Sequence, residues 1–196
     1  MNIIKEMESY AQLNHIPIME KAGIEYLCEF IRKHEVKRIL EIGTAIGYSA
    51  IRMATVNETV EVVSIERDDQ RYKLAQENIR KANLIERITL YHADALTCVV
   101  PGSFDLIFID AAKAQYMKFF QRYEPQLNAN GWIISDNLEF HGFVEHPEII
   151  RSRHLKQMVR KIKTYIEFLE NNGNYDTEFI NIGDGVAISR KKAEKL

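Results

Sequence analysis

The chain has 196 residues, 46% of them hydrophobic, which is enough to bury one core as a single domain over residues 1–196 without disulfides or a structural metal. Its two cysteines, Cys28 and Cys98, form no CxxC pair, so neither a disulfide framework nor a zinc site is indicated and a reducing cytoplasm is the expected compartment. The formal charge of −2 argues against a uniformly basic nucleic-acid protein. No apolar leader follows Met1 and no stretch approaches the roughly 18 apolar residues that cross a bilayer, so secretion and membrane insertion are not expected.

In chain order, the segments before and after Pro17 read as two helices that cover a sheet face. Apolar bursts at 38–42, 61–65, 88–91, 105–109 and 131–135 read as strands, with amphipathic stretches between them. Asp68 or Asp69 can cap a helix whose Tyr72, Ala75, Ile79 and Ala82 recur at three- and four-residue steps and which closes near Asn83. A further crossover helix starts at 116–123 and stops before Pro125 and an Asn-Ala-Asn-Gly turn. A long helix over 147–171 leads to strands at 176–182 and 186–189. The Gly-Asp-Gly turn between them is too short for a parallel crossover, so this last pair is a hairpin. The pattern is α/β: a Rossmann-like, mostly parallel sheet with one reversed strand and helices on both faces.

The chemistry gathers at strand ends. The first strand runs into Gly43-Thr-Ala-Ile-Gly47, where two glycines let backbone approach a ligand, and Glu66 ends the next strand, where a doubly wound sheet places a carboxylate for a ribose diol. Glu41, Asp94, Asp110, Asp136 and Asn137 also fall at or just past strand ends. If the fourth and fifth strands are neighbours, Asp110 and Asp136 converge, and with the Asn137 amide oxygen they form the hard-oxygen set that Mg²⁺ or another divalent cation prefers. Lys113 is close enough to reach the same pocket as a general base. Each residue alone has a plainer reading, as a helix cap, a turn or a tight strand-to-helix approach; their shared rim favours function. Arg151, Arg153, Lys156, Arg160, Lys161 and Lys163 run without an acid, and Arg190, Lys191, Lys192 and Lys195 crowd the C-terminus; both groups can be solvated surface or a basic contact for phosphate.

Leu40-Glu-Ile-Gly-Thr-Ala-Ile-Gly-Tyr-Ser-Ala50, Phe108-Ile-Asp-Ala-Ala-Lys113 and Asp136-Asn137 closely resemble the cation-dependent O-methyltransferases of the catechol type. Pro17-Ile-Met-Glu-Lys-Ala-Gly23, Tyr116, Tyr123-Glu-Pro125 and Gly-Asp-Gly-Val-Ala-Ile-Ser189 are most similar to the bacterial branch that methylates 5-hydroxyuridine of tRNA. The resemblance implies a seven-stranded sheet, frequent homodimers, S-adenosylmethionine as donor, Mg²⁺ at Asp110, Asp136 and Asn137, and Lys113 as candidate base. It also implies Met19, Gly43, Ser49, Glu66, Asp94 and Ala95 around the donor, with Asp110 near its methionine end. Where the animal catechol enzymes have a His-Trp pair before the lysine, this chain has Ala111-Ala112, which leaves a wider pocket suited to a base on a polynucleotide.

The expected reaction is then methylation of the 5-hydroxyl of 5-hydroxyuridine at the wobble position. The hydroxyl and the neighbouring C4 carbonyl offer a cation two adjacent oxygens, as a catechol does. The wobble base lies in an unpaired anticodon loop, and the 151–163 run would contact stem phosphates. Two other acceptor or activity classes compete: methylation of a small catechol or phenolic acid, and a non-catalytic RNA-binding module. A nicotinamide dehydrogenase is disfavoured because Gly43-Thr-Ala-Ile-Gly47 lacks a close G-x-G pair.

Overall fold

Strands that must be buried on both faces read as continuous apolar runs, and those at the centre of this fold do so: Ile39, Leu40, Leu106, Ile107, Phe108 and Ile109 are essentially inaccessible to solvent. The computed structural model describes residues 3–139 and 142–193, so His141 and Lys195 lie outside the described residues. Its strands are β1 (Arg38–Ile42), β2 (Glu61–Glu66), β3 (Ile88–His92), β4 (Phe104–Ile109), β5 (Leu127–Ser135), β6 (Tyr175–Ile180) and β7 (Val186–Lys191). They form a seven-stranded sheet in the order β3-β2-β1-β4-β5-β7-β6. Only β7 is reversed, pairing antiparallel with both β5 and β6. The chain divides into two compact units, Met1–Pro101 and Gly102–Leu196.

In the first unit, α1 (Ile3–Asn14) packs on α3 (Tyr48–Ala54) and α4 (Asp69–Lys81), and α2 (Lys21–Lys33) packs on α3. The Tyr48 hydroxyl donates to Glu8 Oε1 at 2.8 Å and ties α1 to α3. Asp68 caps α4 by accepting from Gln70 N at 3.0 Å and Arg71 N at 2.9 Å. Lys73–Asp69 and Lys81–Glu77 pairs line its outer face, and Asn83, at φ 57, ends it in the left-handed region.

In the second unit, α5 (Tyr116–Tyr123) and α6 (Arg153–Glu170) pack on one another. Two expectations need correction here. The Asn-Ala-Asn-Gly stretch is not a turn ahead of the strand; it is an irregularity inside β5. Phe104 pairs with Leu127 and Leu106 with Trp132, so β5 spends three extra residues there, with Asn130 at φ 62. The long helix also begins later than residue 147. Pro147–Ile149 is a single 3₁₀ turn, Ile150 is extended (ψ 119) and buried, and Ser152 then caps α6 through Leu155 N. Proline fixes the first turn, but burial of the Ile150 side chain draws the backbone out of helical geometry before the serine restarts it. Val159, Ile162, Tyr165 and Leu169 form the buried stripe of α6 at helical spacing.

Candidate active site

The first unit builds a backbone cradle from the glycine turn. Gly43 (φ 101), Ala45 (φ 48) and Gly47 (φ 87) all lie in the left-handed region, a conformation that L side chains resist and that has to be held from outside. Glu66 holds it. Its Oε2 accepts from Ala45 N at 2.8 Å and its Oε1 accepts from Asp68 N at 2.8 Å, so the buried carboxylate is fixed at the end of β2. Gly47 serves packing: a Cβ there would meet Ala75 Cα and Cβ at 3.4 Å, the close approach of α4.

Glu41, fully buried at the end of β1, organises the same turn from below. The Ser49 and Ser64 hydroxyls each donate to one of its oxygens, and Thr44 Oγ1 lies 2.5 Å from Ser64 Oγ. Thr44 and Ser64 were not legible as site residues; only the position of Thr44 within the glycine turn hints at it. Asp94 accepts from Leu96 N at 2.8 Å just past β3 and is exposed, whereas Ala95 beside it is buried. Met19 is buried, with its Cε 3.0 Å from where a Gly23 Cβ would stand. A carboxylate fixed at the end of β2 beside a glycine turn is suited to a ribose diol.

The second unit brings Asp110, Asp136 and Asn137 together, because parallel pairing of β4 with β5 sets Ile109 opposite Ser135 and Asp136 N donates to Ile109 O at 3.1 Å. Asn137, at φ 64, places its Nδ2 3.0 Å from Asp110 Oδ1 and 3.0 Å from Asp136 Oδ2. The amide's positive end thus stands between the two carboxylates, where a cation would be attracted. Rotation of the amide by a half-turn would present its oxygen to that cation instead. The donor set is two carboxylates and an amide; among the described residues no three His, Cys, Asp or Glu side chains cluster as a metal cage. This composition fits a hard, partly hydrated cation such as Mg²⁺.

Tyr116 braces the pair from beneath, its hydroxyl donating to Asp136 O at 3.1 Å while its ring meets Tyr165 edge to face. Tyr165 in turn shares a 2.7 Å hydrogen bond with Ser135 Oγ. Burial, with the charges of Asp110 and Asp136 added to it, pushes the Tyr116 hydroxyl well above its ordinary range and keeps it a donor. Lys113 starts a 3₁₀ turn (Lys113–Gln115) after β4, and its charge favours ionisation of both aspartates.

Burial nevertheless wins. Asp110 is raised to about 6, and Asp136, also repelled by Asp110, to about 8. Unfolded aspartates titrate near about 3.9. The metal-free folded protein therefore carries the extra protons, and its stability falls as pH rises from there through the two raised values. Melting curves in EDTA should show Tm falling over this range, and saturating Mg²⁺ should remove most of the slope because the cation replaces the protons. A flat EDTA profile would contradict this electrostatic description.

Arg151, Arg153, Lys156, Arg160, Lys161 and Lys163 are all exposed, with Arg151 on the extended lead-in and the rest on α6. The direction of α6 gives them a position. Tyr165 sits beside Ser135 at the end of β5, and the helix then leads to Tyr175, which pairs with Lys191 at the opposite end of β7. The basic half of α6 therefore extends from the level of Ser135 toward the carboxylate end, over about 18 Å at 1.5 Å per residue. Arg190 and Lys191 lie at the far end: Arg190 pairs with Trp132 and stacks over its ring at 5.6 Å, and Lys192 reaches Asp176 at 3.2 Å.

The order β3-β2-β1-β4-β5-β7-β6, mostly parallel with one reversed strand, is that of a doubly wound α/β sheet, in which ligands lie outside the carboxyl ends of the strands. The chain belongs to the O-methyltransferase family, whose model matches residues 1–192. A Staphylococcus aureus crystal structure, named provisionally as a caffeoyl-CoA O-methyltransferase, is 39% identical, with a TM-score of 0.94 over 98% of this chain and 93% of that one. The caffeoyl-CoA O-methyltransferase of Stellaria longipes is 23% identical over 96% of this chain and 83% of its own length. The SAH-bound methyltransferase PaMTH1 of Podospora anserina shares the fold at a TM-score of 0.86 and 24% identity, over 98% of this chain and 89% of that one. No helix among the described residues is long and apolar enough to cross a membrane.

Proposed function

We propose that the protein transfers the methyl group of S-adenosylmethionine to the 5-hydroxyl of 5-hydroxyuridine at the wobble position of tRNA, giving 5-methoxyuridine, with Mg²⁺ or another divalent cation held by Asp110, Asp136 and Asn137. Family membership supports methyl transfer to oxygen. Glu66 would accept from the ribose hydroxyls, with Met19, Gly43, Ser49, Asp94 and Ala95 around the donor. Asp110 would also approach the methionine end of the donor. Bound there, the cation would supply charge to favour the deprotonated hydroxyl and a template for two adjacent acceptor oxygens.

The chain's own residues do the rest. Asp110 and Asp136 would hold the cation as carboxylates, and the Tyr116 hydroxyl, braced by Tyr165, keeps the Asp136 backbone in place. Lys113 would take the hydroxyl proton. The barer Ala111-Ala112 stretch, half-buried at Ala111 and exposed at Ala112, leaves room for a base carried on a polynucleotide.

The observation that carries the RNA reading is the position of the basic half of α6 toward the carboxylate end, with no acid between Arg151 and Lys163. A small acceptor needs no such surface; stem phosphates do. Replacing Arg153, Arg160 and Lys161 together with Ala should weaken tRNA binding and reduce the salt slope by about 2–3, since each lost phosphate contact removes roughly 0.9 from it. Methylation of a free catechol should hardly change. Unaltered tRNA affinity and salt slope in the triple variant would reject this docking surface. A small catechol-like or phenolic acceptor is the second reading, supported by the caffeoyl-CoA name of the Stellaria longipes relative.

A further inference from the structure

The far end of the glycine turn is held by side chains that methyl transfer itself does not use. Ile46 is fully buried, and its carbonyl accepts from Asn78 Nδ2 of α4 at 2.9 Å. Gly47 meets Ala75 of the same helix. The next residue reaches α1: the Tyr48 hydroxyl donates to Glu8 Oε1 at 2.8 Å and accepts from Arg52 Nη1 at 3.2 Å, with the Arg52 guanidinium carbon 5.9 Å from the centre of the Tyr48 ring. Residues 46 and 47 are thus fastened to α4 and residue 48 to α1, and α1 packs on both α3, which the turn opens, and α4, which grips it.

Tyr48 is almost entirely buried, and Glu8 supplies the acceptor that a tyrosine hydroxyl needs in such a place. The apolar contact of α1 is small by comparison. Of its twelve residues, Met7 and Ala11 are the buried ones, and the chain leaves it through His15 in the left-handed region, at φ 52. A helix docked through so few apolar side chains belongs to the part of a fold that opens most readily, so the polar tie to Tyr48 carries weight in keeping it closed. The same tie fixes the first residue of α3, directly after Gly47 and directly before Ser49. A ligand that orders this turn therefore favours the docked helix, and by reciprocity the docked helix favours the ligand.

We propose that Tyr48 is a positioning residue of the donor turn and that α1 is a strap fastened by it: Glu8 and Arg52 hold the Tyr48 hydroxyl, so that donor binding tightens α1 and release of α1 weakens the donor. The proposal rests on the reading of residues 43–47 as the turn that meets S-adenosylmethionine.

The test uses the full chain with S-adenosylhomocysteine, the product form of the donor, which cannot transfer a methyl group. Hydrogen exchange over residues 3–14 is followed by mass spectrometry with and without this ligand, and its affinity is measured by calorimetry for the wild type, Tyr48→Phe, Glu8→Ala and Glu8→Gln. Exchange in α1 should slow by about fivefold or more on binding to the wild type, and Tyr48→Phe and Glu8→Ala should each weaken binding by about five- to tenfold. Glu8→Gln keeps an amide oxygen that can accept from Tyr48, so it should lie closer to the wild type. Should Tyr48→Phe fail to fold, Glu8→Ala, at a half-buried position, gives the same readout. Unchanged affinity in these variants, even alongside a lower melting temperature, would reduce the contact to a stabilising brace and overturn the coupling. Wild-type binding that leaves α1 exchange unaltered would overturn the strap while leaving the donor site standing. A wild type that binds no S-adenosylhomocysteine would overturn the donor site and, with it, this proposal.

Discussion

Asp136→Ala is expected to abolish methyl transfer, lowering kcat by about 100- to 1,000-fold or more, while leaving S-adenosylhomocysteine affinity within about twofold of the wild type. The reasoning follows from what each side chain touches. Asp136 contributes one of the two carboxylate oxygens that approach Asn137 Nδ2, and its removal leaves a single carboxylate, Asp110, with the Asn137 amide to hold a cation. The Tyr116 hydroxyl bonds to the Asp136 backbone carbonyl, which alanine retains, so the brace beneath the site survives. Removing a buried acid that repels Asp110 should not destabilise the metal-free fold. Kinetics with excess Mg²⁺, calorimetry with the cofactor product and a melt in EDTA separate these terms. Full turnover of the variant, or full turnover of the wild type in excess EDTA, would refute a metal-dependent mechanism.

Glu66→Ala is expected to weaken donor binding by about 10- to 100-fold, the loss of roughly 1.5–3 kcal/mol that accompanies removal of a charge-assisted acceptor. Two effects add. The ribose hydroxyls lose their proposed acceptor, and Ala45 N and Asp68 N lose the oxygens that hold the turn at φ 48. Glu66→Gln retains one carbonyl oxygen but cannot accept through its amide nitrogen, so it should fall between the two. Calorimetric titration with S-adenosylmethionine measures all three proteins. Equal affinities across them would place the ribose elsewhere.

Much of the candidate site is legible in the sequence because its residues stand where strand ends dictate. Apolar runs located β1 to β4 within a residue at either end, and parallel pairing of β4 with β5 then required Asp110 and Asp136 to meet. What was not legible depended on contacts between distant parts of the chain. Ile150 is extended because its side chain is buried, which no helical periodicity reports, so α6 starts at Arg153. The Asn-Ala-Asn-Gly stretch carries turn chemistry, yet pairing of Leu127 with Phe104 draws it into β5. Glu41 stands at a strand end like the other acids, but the Ser49 and Ser64 hydroxyls enclose it, a role visible only once β1, β2 and α3 are assembled. The place of the Gly-Asp-Gly turn was hidden for the same reason: its backbone is fastened to Leu138 and Glu139, which only the folded chain shows.

One incubation identifies the acceptor directly. Purified protein is mixed with Mg²⁺, methyl-labelled S-adenosylmethionine and tRNA from cells that lack the protein, with a panel of free catechols run in parallel, and the tRNA is then digested to nucleosides. Label is expected in 5-methoxyuridine, with 5-hydroxyuridine consumed in equal amount. Label confined to the catechols, with the 5-hydroxyuridine of the tRNA untouched, would contradict it.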